Sequence, residues 1–385
     1  MTTTVRVAWA AASARRIERQ FLARSAETGT PAAEVVGSML GAHAQVLSAA
    51  ELSIGLRTAE ATRTDVRAAL WDDRSLVKTH GPRGTVHLLP SHELPLWCAA
   101  LTAVPTGPSP FPPGARLTED QADRVVTAIA DALDGRFLTV GELGEEVVAR
   151  TGPWAGDLVM PAFQDMWPRW RQVLHRAGQS GALCFAPNRG RKVTYTRPPR
   201  FTPVPPEEAL RSLVRRYLRA YGPATSAHFA KWLAAPAGWA AGLFAELAGA
   251  GEIEEADFEG APAWLAAGDT AFPDGPLRGV RLLPYFDAYV IAAQPRELLF
   301  PGEAYRRALA GGQAGNYPVL LVDGVVAGVW HQRRRGRRTT VTVEPLGHLT
   351  ARQLRELGEQ VERVGEVLEA AAELVVGKVT AGPHA

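Results

Sequence analysis

Helix signals followed by a β-hairpin signal recur three times along this chain. That order restricts the fold sharply, because each set of helices must bury its apolar stripe against its own small sheet. In the first pass, residues 13–41 read as two helices, with Trp9, Ile17, Phe21 and Leu22 at helical spacing. The second helix opens at Thr30-Pro31, where the fixed φ of proline suits a first turn. Ser48-Ala-Ala-Glu51 is a capping-box pattern, and a further helix is expected over residues 64–71. Residues 76–80 and 85–89 then flank Gly81-Pro-Arg-Gly84 as a hairpin.

Pro105, Pro108, Pro110, Pro112 and Pro113 mark a linker, after which the order restarts. Thr118-Glu-Asp-Gln121 and Thr139-Val-Gly-Glu142 are capping boxes for helices ending near Gly135 and Gly152. A third helix is expected over much of 162–177, interrupted near Pro168, and residues 183–186 and 193–197 bracket the turn Asn188-Arg-Gly-Arg-Lys192. The third pass has helices at 207–220, 226–233 and 239–250, then a hairpin over 252–266 turning at Glu259-Gly260.

From residue 278 the chain turns β-rich. Residues 281–287 and 318–322 read as strands, and Asp323-Gly324 is a strong hairpin turn into 325–330. Residues 332–343 form another hairpin with its tip near Arg335-Gly336. A closing helix is expected over 351–375, with Leu354, Leu357, Val361, Val364 and Leu368 on one stripe. The expected fold is α+β: three tandem winged helix-turn-helix domains, a β-rich C-terminal region and a closing helix. The boundaries read as 1–104, a linker at 105–116, then 117–203, 204–270 and 271–385.

Composition excludes several classes. With 46% hydrophobic and 21% charged residues the chain is globular rather than disordered. It lacks a long apolar run, so no membrane span or membrane partner is expected, and its N-terminus lacks the basic-then-apolar order of a secretory signal. Cys98 and Cys184 are the only cysteines, without histidine at ligand spacing. A disulfide framework is therefore excluded, no metal site is expected, and a cytoplasmic location follows. No phosphate loop, dinucleotide fingerprint or Gly-x-Ser-x-Gly elbow is present, and no cofactor is expected.

The formal net charge is only +2, so any nucleic-acid binding must rest on local patches. Arg189, Arg191 and Lys192 crowd one hairpin tip, while Arg333, Arg334, Arg335, Arg337 and Arg338 crowd another. A charge run is ordinarily just a solvated surface. On hairpins that follow helical triplets, however, arginine forks suit phosphate oxygens. Arg83 and Thr85, at the first hairpin, complete the candidate DNA contacts. The third hairpin is acidic, with Glu252, Glu254, Glu255, Asp257 and Glu259, and should not touch a phosphate backbone.

The candidate for chemistry is His43-Ala44-Gln45, just after the helix stop at Gly41. On an extended segment residues two apart point to the same side, so His43 and Gln45 would converge. A lone histidine is more often a buried core residue; the paired spacing weakens that reading. His87 alternates with apolar neighbours, and His228 falls in the first turn of a helix; neither carries a clear signal.

Several stretches resemble the winged-helix DNA glycosylase family that has an AlkZ-like and a YcaQ-like branch. They are Gly41-Ala-His-Ala-Gln45, Val77-Lys-Thr-His-Gly-Pro-Arg-Gly-Thr-Val-His-Leu-Leu-Pro90, Arg216-Tyr-Leu-Arg-Ala-Tyr-Gly-Pro223 and Ala227-His-Phe-Ala-Lys-Trp232. Leu282-Leu-Pro-Tyr-Phe-Asp-Ala-Tyr289 and Val322-Asp-Gly-Val-Val-Ala-Gly-Val-Trp330 continue the match in the family's order. The resemblance implies a concave basic surface for duplex DNA and hydrolysis of the N-glycosidic bond of N7-alkylated guanine, bulky adducts and crosslinks included. It also implies a catalytic Gln-x-Gln (AlkZ-like) or Gln-x-Asp (YcaQ-like) motif. Gln45 matches the second position of the AlkZ-like motif, and His43 stands where the first glutamine would be. Where the family often has aspartate after Tyr-Gly-Pro, this chain has His228.

Alkylation at N7 leaves guanine cationic and already a good leaving group. The remaining work is to position water at C1′ and stabilise an oxocarbenium-like sugar. Gln45 can orient that water, and neutral His43, with an ordinary pKa of about 6.5, can accept its proton. Activity should therefore fall as pH drops through the His43 pKa. No lysine accompanies the pair in sequence, which favours a monofunctional enzyme. The expected partner is double-stranded DNA carrying alkylated guanine, and the expected state is a monomer. The alternative reading is a winged-helix regulator without chemistry.

Overall fold

The computed structural model describes residues 4–383 except 108, 110, 163, 164, 276 and 310. Among the described residues, three three-stranded sheets, one five-stranded sheet and a two-stranded ladder combine with helices in a mixed α+β architecture. In the first sheet, Ala42–His43 pairs antiparallel with Val86–Pro90, which pairs in turn with Leu76–His80. Helices Ala32–Ser38, Leu47–Gly55 and Arg63–Trp71 bury Val35, Val36, Ile54, Val66 and Leu70 against it.

The second sheet, built from Leu138–Thr139, Lys192–Thr196 and Cys184–Arg189, packs with helices Glu119–Leu133 and Val140–Thr151. Both capping boxes expected there form, at Thr118 with Gln121 and Thr139 with Glu142. The third sheet joins Ile253–Phe258 and Ala261–Ala266 beside helices Pro206–Tyr221, Ser226–Leu233 and Ala237–Gly249. Its remaining strand is Val5–Val7, running parallel to Ile253–Phe258. The extreme N-terminus thus lends its strand to a sheet formed by residues far down the chain.

The largest sheet has five strands in the order Val280–Leu283, Val319–Val322, Val325–Arg335, Arg338–Pro345 and Ala371–Val376. Helix Ala351–Leu368 lays Leu357, Val361, Val364 and Val367 against Trp330, Val341 and Val343 of this sheet.

Several local expectations are corrected. The Ser48–Glu51 capping box does not form: the helix begins at Leu47 without a side-chain cap, and Glu51 is instead buried in an ion pair with Arg67 at 2.6 Å. Within 162–177, the strands Leu158–Pro161 and Met166–Pro168 form a short hairpin, and helix appears only from Arg169 onward. The two prolines at its ends, lacking an N–H, suit an isolated edge ladder. The closing helix stops at Leu368, where Glu369 turns left-handed (φ 52), and Ala371–Val376 returns as a strand parallel to Arg338–Pro345. Gly365 permits that reversal, since a Cβ there would lie 2.7 Å from the Ala370 carbonyl. Of the proline-rich linker, Pro108 and Pro110 lie outside the described residues. No helix among the described residues is long and apolar enough to cross a membrane.

Buried polar contacts tie the first unit, the third unit and the C-terminal sheet together. Arg57 and Asp287 form a fully buried bidentate pair at 2.7 and 2.8 Å. The Tyr221 hydroxyl donates to the Met39 carbonyl at 2.6 Å. The Arg16 guanidinium, also buried, donates to the carbonyls of Pro223 (2.9 Å) and Gln294 (2.8 Å). Gln294, at the last of these junctions, also lines a cleft to which all three parts contribute.

Candidate active site

The placement of His43 begins with how its helix ends. After Ala32–Ser38, Leu40 adopts φ 58 and Gly41 φ 98, and the Gly41 N–H donates back to the Val36 carbonyl at 3.0 Å. This closes the helix in a Schellman-type turn. Leu40 takes the first left-handed position of that turn and Gly41, at φ 98, follows it. Gly41 is still required, because a Cβ there would meet Leu89 Cδ2 at 2.9 Å. The chain then runs extended, with His43 opposite His87 and the Ala44 N–H bonded to the Val86 carbonyl at 2.7 Å.

Strand alternation separates the neighbours of His43 from it: Ala42 and Ala44 are fully buried, whereas His43 keeps an edge on the cleft. Its ring lies edge-on to His87, with centroids 5.0 Å apart, and tilted against Phe286 at 4.6 Å. Burial, with the Arg83 guanidinium nearby, pushes the His43 imidazole down to about 4. It is therefore neutral at physiological pH, and its value lies well below the operating range expected from sequence. His43 Nδ1 is buried with no hydrogen-bond partner among the described residues. His87 Nδ1 lies 2.9 Å from the Thr85 carbonyl; because a carbonyl only accepts, that nitrogen carries the proton.

The cleft encloses about 340 Å³. His43, Arg83 and Thr85 come from the first unit, and His228, Lys231 and Trp232 from helix Ser226–Leu233. Phe286, Gln294, Arg296 and Asn316 come from the C-terminal region. No carboxylate lines it among the described residues. Arg83, held at φ 61, donates through Nη1 to the Trp232 carbonyl at 2.6 Å.

Arg83 and Thr85 thus share a cavity with His43. Gln45 does not line it: it sits exposed in the bend before Leu47. Arg189 is bonded to Glu142 at 2.8 Å and to the Phe137 carbonyl, whereas Arg191 and Lys192 are exposed at the tip. The five arginines from 333 to 338 all stand exposed, and Arg333 and Arg335 border a groove of about 560 Å³ with His331 and Lys378. The acidic third hairpin is internally satisfied: Glu252 pairs with Arg211 and Arg215, and Glu254 accepts from the Gly268 N–H at 2.9 Å.

Sequence reading missed His228, Lys231 and Phe286 as site residues. Nothing local marks them, because their proximity to His43 is created by the packing of distant units. No lysine accompanies the pair in sequence, and it is the fold that brings Lys231 to the cleft that His43 lines. Among the described residues no group of three or more histidine, cysteine or acidic side chains is placed to hold a metal ion.

An α+β scaffold with exposed arginine hairpins and an open cleft walled by a neutral histidine defines a candidate nucleic-acid-processing enzyme. The family model described as DNA glycosylase AlkZ-like matches residues 36–367. An interstrand DNA cross-link repair glycosylase of Streptomyces sahachiroi is 34% identical over 341 residues, spanning 85% of this chain and 88% of that protein. The solved structure of Streptomyces sahachiroi DNA glycosylase AlkZ aligns with a TM-score of 0.78 at 29% identity, covering 96% of this chain and 100% of that one. The chain belongs to the AlkZ-like DNA glycosylase family.

Proposed function

We propose that this glycosylase hydrolyses the N-glycosidic bond of N7-alkylated guanine in duplex DNA, bulky adducts and interstrand crosslinks included, with His43 and Gln45 at the reacting centre. The observation that carries this reading is a neutral imidazole, held between His87 and Phe286, at the wall of an open cleft. The Streptomyces sahachiroi relative is a cross-link repair glycosylase, which supports extending the substrate to crosslinks.

The cationic base leaves readily, so the enzyme's work is directed at the sugar and the water. A neutral histidine accepts a hydrogen bond from water without placing positive charge beside the oxocarbenium-like transition state. An imidazole with a pKa near 4 is a weak base. That suffices where the water's proton departs only after the C1′–O bond is largely made. Gln45, solvent-facing two residues on, supplies an amide oxygen to orient that water once DNA covers it.

In this reading the three helix-and-sheet units are tandem winged helices over about 1–104, 117–203 and 204–270, working as a monomer. The exposed arginines of the 189–192 and 333–338 hairpins serve as phosphate contacts.

The test is incubation with duplexes carrying N7-methylguanine or a bulky N7 adduct, scored as alkali-labile abasic sites. Release from both is expected, with no covalent trapping by borohydride even though Lys231 lines the cleft. Failure to release either base would overturn the assignment, and a trapped complex lost in Lys231→Gln would overturn its monofunctional form.

A further inference from the structure

We propose that Arg83, His228 and Lys231 form a phosphate subsite that grips one backbone phosphate flanking the target nucleotide. The inference rests on the proposed glycosylase function only in taking the cleft as the place where damaged DNA sits.

All three side chains line the same cleft. His228 and Lys231 are three residues apart on helix Ser226–Leu233 and therefore share a face. Arg83 is fastened to that helix by its bond to the Trp232 carbonyl, which occupies one of its several donors. Two elements, the first hairpin through Arg83 and the helix through His228 and Lys231, thus bring three donor groups to the same cleft.

The state of His228 is set by its backbone. Its Nδ1 accepts the Thr225 N–H at 3.3 Å, within a reciprocal capping box. An accepting Nδ1 leaves the proton on Nε2, so His228 presents an N–H donor without a charge of its own. Burial pushes its pKa down to about 4, which keeps the ring uncharged at neutral pH. Lys231 is exposed at the mouth of the cleft, with no ion pair among the described residues.

Electrostatics then calls for an anion. Arg83, Lys231 and Arg296 bring positive charge into a cleft whose described lining contains no carboxylate, and Glu297, outside that lining but near His228 and Arg296, offsets only part of it. Left bare, those charges would oppose a cationic base and a cationic sugar. A phosphodiester bound between them cancels that repulsion and fixes the nucleotide's backbone near His43. Arg296 is otherwise committed, since it donates to the carbonyls of Val290 and Ile291. The grip therefore falls to Arg83, Lys231 and the His228 N–H. Holding the backbone rather than the base also suits adducts too large for a closed pocket.

The experiment uses the full chain and a duplex with a single 2′-fluoro-stabilised N7-methylguanine, in which one flanking phosphate at a time is replaced by a neutral methylphosphonate. Binding is followed by fluorescence anisotropy across a salt series. Wild-type protein should lose about tenfold in affinity at one methylphosphonate position, the effect of one charge-assisted hydrogen bond. Lys231→Gln should lose a similar factor on unmodified backbone and no longer respond to that methylphosphonate. Its plot of log K against log salt should be shallower by about 0.9. His228→Glu, which retains a capping-box acceptor, should weaken binding further by repelling the phosphate.

Effects of methylphosphonate and Lys231→Gln that simply multiply at every position would overturn the subsite. Base release from ordinary N7-methylguanine duplex, run in parallel, separates the two ideas. Coupling without release would sink the glycosylase substrate and leave the phosphate grip standing; release without coupling would do the reverse.

Discussion

The imidazole of His43 and the ring of Phe286 pack with centroids 4.6 Å apart and 31° between their planes. Phe286 is left-handed (φ 55) and immediately precedes Asp287, the carboxylate buried against Arg57. Asp287 also caps the helix Ala288–Ala292 through the Tyr289 N–H at 3.0 Å. The C-terminal region therefore braces the site through one short segment, anchored in the first unit by an ion pair.

Breaking that anchor should be costly. Asp287→Asn leaves the Arg57 guanidinium buried without its countercharge, and a loss of about 3–5 kcal/mol in unfolding free energy is expected by urea titration. Replacing both partners, as Arg57→Met with Asp287→Leu, should cost distinctly less. Equal losses in the single and double variants would show that the pair is not a coupled unit.

The pH dependence divides into two effects. In the proposed mechanism base release uses neutral His43, whose value lies at about 4. With chemistry rate-limiting, the rate should stay level from pH 7 to about 5 and decline only on approach to 4. Stability behaves differently. His43, His80 and His228 fall to about 4 and His87 lies well below its ordinary 6.5, all chiefly through burial. Between about 6.5 and 4 the unfolded chain binds more protons than the folded one. The contribution is thus complete above about 6.5 and is lost as pH falls toward 4. Thermal melts at pH 7, 6 and 5 should show a decreasing midpoint, and an unchanged midpoint would contradict the neutral buried state of these rings.

His43→Ala and Gln45→Ala should each slow base release by roughly a hundredfold, within the range for losing a positioned proton acceptor or water ligand. Affinity for duplex DNA should be almost unchanged, because neither side chain is charged at neutral pH. Single-turnover rates at saturating enzyme, compared with anisotropy titrations, separate the two quantities. A full rate in Gln45→Ala would restrict the chemistry to His43.

The basic hairpins should differ in weight. Replacing Arg333, Arg334 and Arg335 by alanine should weaken DNA binding and flatten its salt dependence, by up to about 0.9 in slope for each phosphate no longer neutralised. Arg189→Ala should do much less, since that guanidinium is already paired with Glu142. A larger effect from Arg189 than from the 333–335 triple variant would reverse this assignment.

Much of the fold was legible in the residues. Capping boxes at Thr118 and Thr139, the Asp323-Gly324 turn and the three helix-then-hairpin passes are local signals, set by hydrogen bonds within a few residues. Failures came where a distant partner outweighed local preference. Glu51 pairs with Arg67 instead of completing a cap, Val5–Val7 docks on a strand from the third unit, and Ala371–Val376 leaves helical periodicity to complete a sheet edge.

The sequence by itself determined that His43 follows a helix stop on an extended segment, because a Schellman turn and strand alternation are properties of neighbouring residues. Only the tertiary structure decided that this histidine is neutral and which groups face it. Desolvation depends on Phe286 and His87 closing over the ring, and the opposing wall of His228 and Lys231 arrives from a helix far along the chain. A side chain's identity is written in the chain, but its protonation and its partners are set by whatever removes it from water.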